Sequence, residues 1–199
     1  RPLAEHSIVP DFQITSDIIW NAGMKSSLQM HPHIPVLATL NVARQIFDDF
    51  DRVLLIANAE RFNVVRVPFA LENTTPTTGN LALAVACICS PQEIFLLGLD
   101  FGYRSEESTH VHGGQFNNPD IQKKRAIEEQ LAVAGNFDGA HTVYTNHYLN
   151  EARVTAEKAI ACISKHTRVF NLSDGARIEG TIPKSSEKVR LNHYSEKEE

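Results

Sequence analysis

Residues Gly79–Asp100 read GNLALAVACICSPQEIFLLGLD, and this stretch decides the fold. Its first half, Gly79–Cys89, is alanine-rich and apolar nearly all round, which predicts a buried helix rather than a surface one. Pro91 punctuates the end of that helix, because proline lacks a backbone N–H and clashes with the preceding turn. Glu93–Asp100 (EIFLLGLD) is then a continuous apolar run, the pattern of a strand covered on both faces in a parallel sheet. Helix followed by buried strand, repeated along the chain, argues for an α/β layer architecture.

Upstream, Asp11–Ser16 alternates Phe12 and Ile14 with polar neighbours and reads as a strand. Asn21–Met30 reads as a loop or short helix. Pro35–Leu40 (PVLATL) is a second strand, followed by a short helix over Val42–Phe50, and Arg52–Ala57 (RVLLIA) is a further buried strand. Arg61–Thr78 has no clean period, contains Pro68 and Pro76, and reads as an irregular connection lining a cleft. Downstream, Tyr103–Asn118 is a polar, Gly- and His-rich loop. Asp120 caps a predicted helix over Ile121–Ala134, ended near Gly135–Asn136. Ala140–Tyr144 is a short strand, Asn146–Ser164 an amphipathic helix, and Arg168–Leu172 a last short strand. Ser173–Pro183 is rich in turn residues. The domain is expected to run from residue 1 to 183, with a charged tail or linker over 184–199.

Composition bounds the function. The chain has 199 residues, enough for one sizeable core, with 42% apolar and 22% charged residues and a net charge of -5. Mild acidity spread along the chain gives no support for nucleic-acid binding, which needs concentrated Lys and Arg. Three cysteines, Cys87, Cys89 and Cys162, fall in apolar stretches and read as small buried hydrophobes. With no disulfide pattern, a reducing cytoplasm is expected. No apolar run approaches the roughly 20 residues that span a bilayer, so no membrane partner is expected. The sequence starts without methionine, as a fragment or a trimmed form would.

Four segments carry candidate chemistry. Thr77-Thr78-Gly79-Asn80 stands where a loop enters a helix, and the first N–H groups of a helix have no internal partners. With the helix dipole, the threonine hydroxyls and glycine's close approach, the segment forms an anion cradle; alternatively, Thr78 simply caps the helix. Gly98–Tyr103 follows the buried strand at its C-terminal end, where parallel sheets bind ligands. Asp100 and Tyr103 are the polar groups there, although Asp100 also suits a turn cap. His110 and His112, in the following loop, are candidate general bases, or surface histidines in a glycine-rich loop. A His-x-His pair also ligates metals, but no third ligand is evident nearby, and no metal is expected. Asn171, Ser173 and Asp174, in Asn171–Ala176 (NLSDGA), are turn chemistry that would line a cleft beside the other strand ends. Lys123-Lys124-Arg125, His31-Pro32-His33 and Trp20 read as a solvated face, a turn and a packing residue.

Taken in order, IVPDFQITSD (Ile8–Asp17), Pro76–Tyr103, Thr109-His110, GNFDGAHTVYTN (Gly135–Asn146) and NLSDGARIEGTIP (Asn171–Pro183) resemble the central domain of the motility-associated factor (Maf) proteins. These are held to be flagellin glycosyltransferases, in a superfamily shared with an archaeal hydroxymethylpterin diphosphokinase. The resemblance covers Ile8 to Pro183. It implies a Rossmann-like, mostly parallel sheet with flanking helices, similar to CMP-sialic-acid-dependent sialyltransferases. It also implies transfer of a nonulosonic acid, pseudaminic or legionaminic, from a CMP donor to Ser or Thr hydroxyls of flagellin. Residue by residue, Thr77–Asn80 matches the turn that holds the nucleotide, Asp100 and Tyr103 the motif beside the donor phosphate, and His110 the threonine-histidine pair that serves as base. The family's glycine-rich segment (GGPSL-like) is absent, which implies a fragment or a divergent short member.

The mechanism so implied is a single displacement at the anomeric carbon. His110, or failing that His112, takes the acceptor proton, while the Thr77–Asn80 helix start and Tyr103 stabilise the leaving phosphate. The CMP-sugar is a substrate, and no cofactor is required. One rival is a diphosphokinase using ATP and Mg²⁺ with Asp100 as ligand. Another is a non-catalytic module that binds flagellin or a flagellar protein.

Overall fold

Short β-rich runs separated by two well-capped helices build the architecture. The computed structural model describes residues 8–17, 32–60, 69–103, 131–137, 141–163 and 165–190. The strands β1 (Gln13–Thr15), β2 (Val36–Thr39), β3 (Val53–Asn58) and β4 (Ala70–Leu71) form one sheet in the order β1-β2-β3-β4. Every pairing in it is parallel, in registers such as Thr15↔Ala38 and Ala38↔Leu55. Between β2 and β3 lies α1 (Ile46–Asp49). The helix expected over Val42–Phe50 is thus only about one turn long; Asp48 and Asp49 at its C-terminal end oppose the helix dipole.

The deciding stretch folds as α2 (Thr78–Ile88) followed by β5 (Glu93–Leu96). β5 starts a second sheet, which continues with β8 (Arg168–Asn171) and β9 (Ile182–Pro183), again all parallel. Between them come β6 (Leu131–Ala134), β7 (Thr142–Thr145) and α3 (His147–Ala161). β6 and β7 pair antiparallel in a small sheet of their own. The overall class is α/β with mostly parallel pairing, as the helix-strand alternation implied.

Four local expectations change. Leu131–Ala134 is a strand, not the end of a helix: Ala and Leu suit either state, and pairing with Thr142–Thr145 decides it. β5 stops at Leu96; Leu97 is 70% exposed, so the EIFLLGLD run is not covered throughout. In β3, Leu54 and Leu55 are 43% and 49% exposed, so that strand is only partly buried. Cys89 and Cys162 are exposed, because each is the C-cap of a helix, where the chain turns toward solvent. Cys87 is half-buried, and burial, with Cys162 nearby, pushes its thiol up to about 11.

The main core lies on the second sheet. Leu83 of α2 and Ala152, Ala156 and Ile160 of α3 pack with Ile94, Leu96 and Val169 of β5 and β8. The first sheet has a smaller cluster of Val36, Ala43, Ile46 and Phe50. At the far edge, Lys184 extends the β8–β9 ladder from its N–H to Asn171 O and sets its ammonium over the Phe170 ring. Among the described residues, no helix is long and apolar enough to cross a membrane.

Candidate functional site

The start of α2 is built by its own sequence. Thr77 is the N-cap: its hydroxyl accepts from Asn80 N–H at 3.2 Å, and Asn80 Oδ1 accepts from Thr77 N–H at 3.3 Å. This is a reciprocal capping box, and it corrects the alternative in which Thr78 caps the helix. Thr78 instead shares a hydrogen bond with Ser16, Oγ to Oγ1 at 2.9 Å, which brings the end of β1 to the start of α2. A Cβ on Gly79 would meet Leu99 Cδ2 at 2.5 Å, so glycine there lets the segment after β5 come equally close. The α2 N-terminus therefore lies between the C-terminal ends of β1 and β5. From β1 the first sheet runs outward in chain order to β4, and from β5 the second sheet runs through β8 to β9. Open parallel sheets place ligands outside the C-terminal ends of their strands.

α3 begins beside α2. Its N-cap Asn146 accepts from Leu149 N–H at 2.8 Å. Tyr148 Oη donates to Pro76 O at 3.0 Å, and Asn80 Nδ2 donates to Ala152 O at 2.7 Å. The paired positions advance together along both chains, so the helices run parallel with their N-termini at the same end. Two dipoles thus add positive potential in one place.

The strand-end motif is held by the NLSDGA turn. Asn171 Oδ1 accepts from Ser173 N–H at 3.0 Å, the local turn chemistry of asparagine. Ser173 Oγ accepts from Gly98 N–H at 2.9 Å and hydrogen-bonds the Asp100 carboxylate. A Cβ on Gly175 would meet Asp100 O at 2.3 Å, so only glycine allows Ala176 N–H to reach that oxygen at 2.7 Å. Next to Asp100, Phe101 adopts φ +48, a conformation a bulky residue rarely takes. It is held there by burial and by Thr145 Oγ1, which donates to Phe101 O at 2.8 Å. Backbone held in this way concentrates at functional sites.

Asp100 is exposed as a residue, yet its carboxyl has lost enough hydration to raise its pKa above the ordinary carboxylate range. The Ser173 hydrogen bond opposes that shift, and the Asp174 carboxylate adds to it. Tyr103, half-buried, pairs its backbone with Tyr144 through N–H···O bonds of 2.7 and 2.9 Å. Thr77–Asn80, Asp100, Ser173 and Asp174 are thus brought to one region, with Tyr103 close by along the chain. His110 and His112 lie outside the described residues, as do Trp20, His31 and Lys123–Arg125.

Several contributors escaped sequence reasoning. Asn136 is 4% exposed and donates from Nδ2 to Asn171 O at 3.1 Å and Ser173 O at 2.8 Å, bracing the turn. Its Oδ1 and the Nδ2 of fully buried Asn171 have no hydrogen-bond partner. Ser16 and Tyr148 join the site only through tertiary contact; Ser16 lies in the Ile8–Asp17 segment, but nothing there marks it as a site residue. A cavity of about 510 Å³ lies elsewhere, lined by Val154, Glu157, Lys158, Thr167 and Val169 toward the N-terminal end of β8. It shares no residue with the strand-end site.

No family model matches the chain, and no curated protein matches it. A solved structure of a Maf glycosyltransferase from Magnetospirillum magneticum AMB-1 matches with a TM-score of 0.72 at 23% identity, over 96% of this chain and 29% of that one. The chain therefore has the fold of a stretch of that protein and spans about 29% of its length.

Proposed function

We propose that this chain is the nucleotide-sugar-binding part of a Maf-type glycosyltransferase, which transfers a nonulosonic acid from a CMP donor to Ser or Thr of flagellin in the cytoplasm. The observation that carries the proposal is the convergence of the α2 and α3 N-termini, with the α2 start beside the C-terminal ends of β1 and β5. Two helix starts with aligned dipoles suit a phosphodiester that becomes a phosphate dianion as its sugar leaves. The likeness in fold to a Maf glycosyltransferase supports the same reading.

In the reaction, an acceptor hydroxyl forms a bond to the anomeric carbon as the bond to the CMP phosphate oxygen breaks. Positive charge builds on the sugar and negative charge on the departing phosphate. The helix starts, with the Tyr103 hydroxyl, stabilise that negative charge. His110 takes the acceptor proton. Asp100 faces the sugar side rather than the phosphate, since a second carboxylate at Asp174 would repel a phosphate placed against both.

Thermal-shift titration of the chain tests this: CMP should raise the melting temperature without added metal. One observation favours a second reading. The Asp174 carboxylate lies near enough to Asp100 to raise its pKa, and two such carboxylates would suit Mg²⁺, as a diphosphokinase requires, although no group of three potential ligands forms among the described residues. A shift with ATP and Mg²⁺ and none with CMP would replace the glycosyltransferase reading by that one.

A further inference from the structure

The cavity toward the N-terminal end of β8 is lined by the C-terminal half of α3, the helix whose N-terminus lies at the phosphate site. At about 510 Å³ it falls in the size range of ligand pockets. One wall is α3 from Val154 to Ala161, and the other is the turn at Glu179–Gly180. The two walls are fixed to each other. Glu157 Oε1 accepts from Glu179 N–H at 2.9 Å, and a Cβ on Gly180, at φ +84, would meet Ile160 Cγ2 at 2.9 Å. Ile160 and Val169 of the main core, with Ile163 packed against it, give the groove an apolar floor. Lys158, Ala161, Lys165 and Glu179 are exposed, so it opens to solvent along α3.

The charges of the lining are not balanced. Glu157 is engaged by Arg153 as well as by the Glu179 N–H, and Glu179 pairs with Arg177 at 3.5 Å. Lys158 and Lys165 have no ion-pair partner among the described residues. Two ammonium groups thus stand uncompensated beside an apolar floor, on a chain whose net charge is -5. Carboxylates complement those ammoniums, and the floor takes a hydrocarbon side chain between them. Val154 to Ala161 rises about 10 Å along the helix, the span of about three residues of extended chain. A groove open along that length fits a peptide rather than an enclosed small molecule.

We infer that this groove docks an acidic, apolar segment of a protein partner, with carboxylates at Lys158 and Lys165 and an apolar side chain against Ile160, Ile163 and Val169. The inference goes beyond the nucleotide-sugar reading and does not depend on it. Docking at the far end of α3 leaves the α2 and α3 starts open, so peptide and nucleotide bind independently.

Fluorescence anisotropy with the full chain tests this, using a labelled short peptide of alternating Asp and Leu as the probe. It should bind at least about tenfold more tightly than peptides alternating Lys with Leu or Asp with Ser. Reversing both charges, with Lys158→Glu and Lys165→Glu together, should weaken the Asp-Leu peptide about tenfold and leave the melting temperature near that of wild type. Ala161→Trp, which fills the groove from an exposed helix position, should abolish binding. CMP affinity should be the same in all of these proteins, with or without peptide. Equal binding of the three peptides, or an Asp-Leu affinity unchanged by both sets of substitutions, refutes the docking groove. Binding of decanoate without binding of the peptide makes it a small-anion pocket and also refutes it. A dimer in sedimentation that Ala161→Trp dissolves identifies a second copy as the occupant and refutes the peptide. If the peptide binds as expected and CMP does not bind, the groove stands and the nucleotide-sugar reading falls.

Discussion

In the second sheet, Ile94, Leu96 and Val169 meet Leu83, Ala152, Ala156 and Ile160 in one continuous core, whereas in the first sheet Val36, Ala43, Ile46 and Phe50 form a small separate cluster. Leu54 and Leu55 of β3 stand nearly half exposed. The contrast extends to polar groups. Asn80, deep in the second half, uses both ends of its amide, for the capping box and for Ala152 O. Thr39 and Asn58, equally deep in the first half, leave an oxygen unanswered. Similar parallel pairing thus leaves different interiors: the α2–α3 half is closely packed and fixes the helix starts, and the β2–β3 half is thinly packed and keeps buried oxygens without partners.

Substitutions can break or sharpen that contrast. Leu83→Ala removes a side chain 2% exposed in the main core and should cost about 3 kcal/mol in denaturant unfolding. Asn80→Ala should cost about 2 kcal/mol, through loss of half the capping box and an unanswered Ala152 carbonyl. It should also weaken CMP binding, because it loosens the alignment of the two helix starts. Leu55→Ala, 49% exposed, should cost under about 1 kcal/mol; a loss equal to that of Leu83→Ala would show the two halves to be equally packed.

The smallest effect is electrostatic. The Asp100 pKa is raised in the folded chain, so the fold binds that proton more tightly than the unfolded chain does. Its destabilising contribution is absent below the ordinary carboxylate pKa of 3.8, grows as pH rises through it, and is complete above the raised folded value. Asp100→Asn should therefore be slightly more stable than wild type at neutral pH, with the difference vanishing in acid. Unfolding curves across pH 3–8 check this, and a difference that grows toward acid would contradict it.

Much of the fold was legible where the signal was local. The cap-to-helix-to-strand run from Thr77 through Leu96 and the amphipathic helix after Asn146 carry their own punctuation, so their elements fall close to the expected bounds. Leu131–Ala134 misled because a four-residue apolar segment has no period of its own, and only Thr142–Thr145 makes it a strand. Cys89 and Cys162 misled because apolar context does not reveal that a residue ends a helix. The segments around Thr77 and Asp100 were visible as polar and glycine-bearing breaks between apolar runs. Their neighbours Ser16, Tyr148 and Asn136 were not, since each acts through a partner more than 30 positions away along the chain.

The sequence by itself therefore determined the α/β class, the helix-strand unit and the turn chemistry at Thr77–Asn80 and Asn171–Gly175, because hydrophobic period, capping and turn propensity act over a few residues. Only the tertiary structure decided that α2 and α3 start side by side, that the turn bearing Ser173 packs on Asp100, and that Thr39 and Asn58 each bury an oxygen without a partner. Those facts depend on which strands become neighbours. Neighbours are chosen by packing and hydrogen bonding between distant segments, which no local pattern encodes.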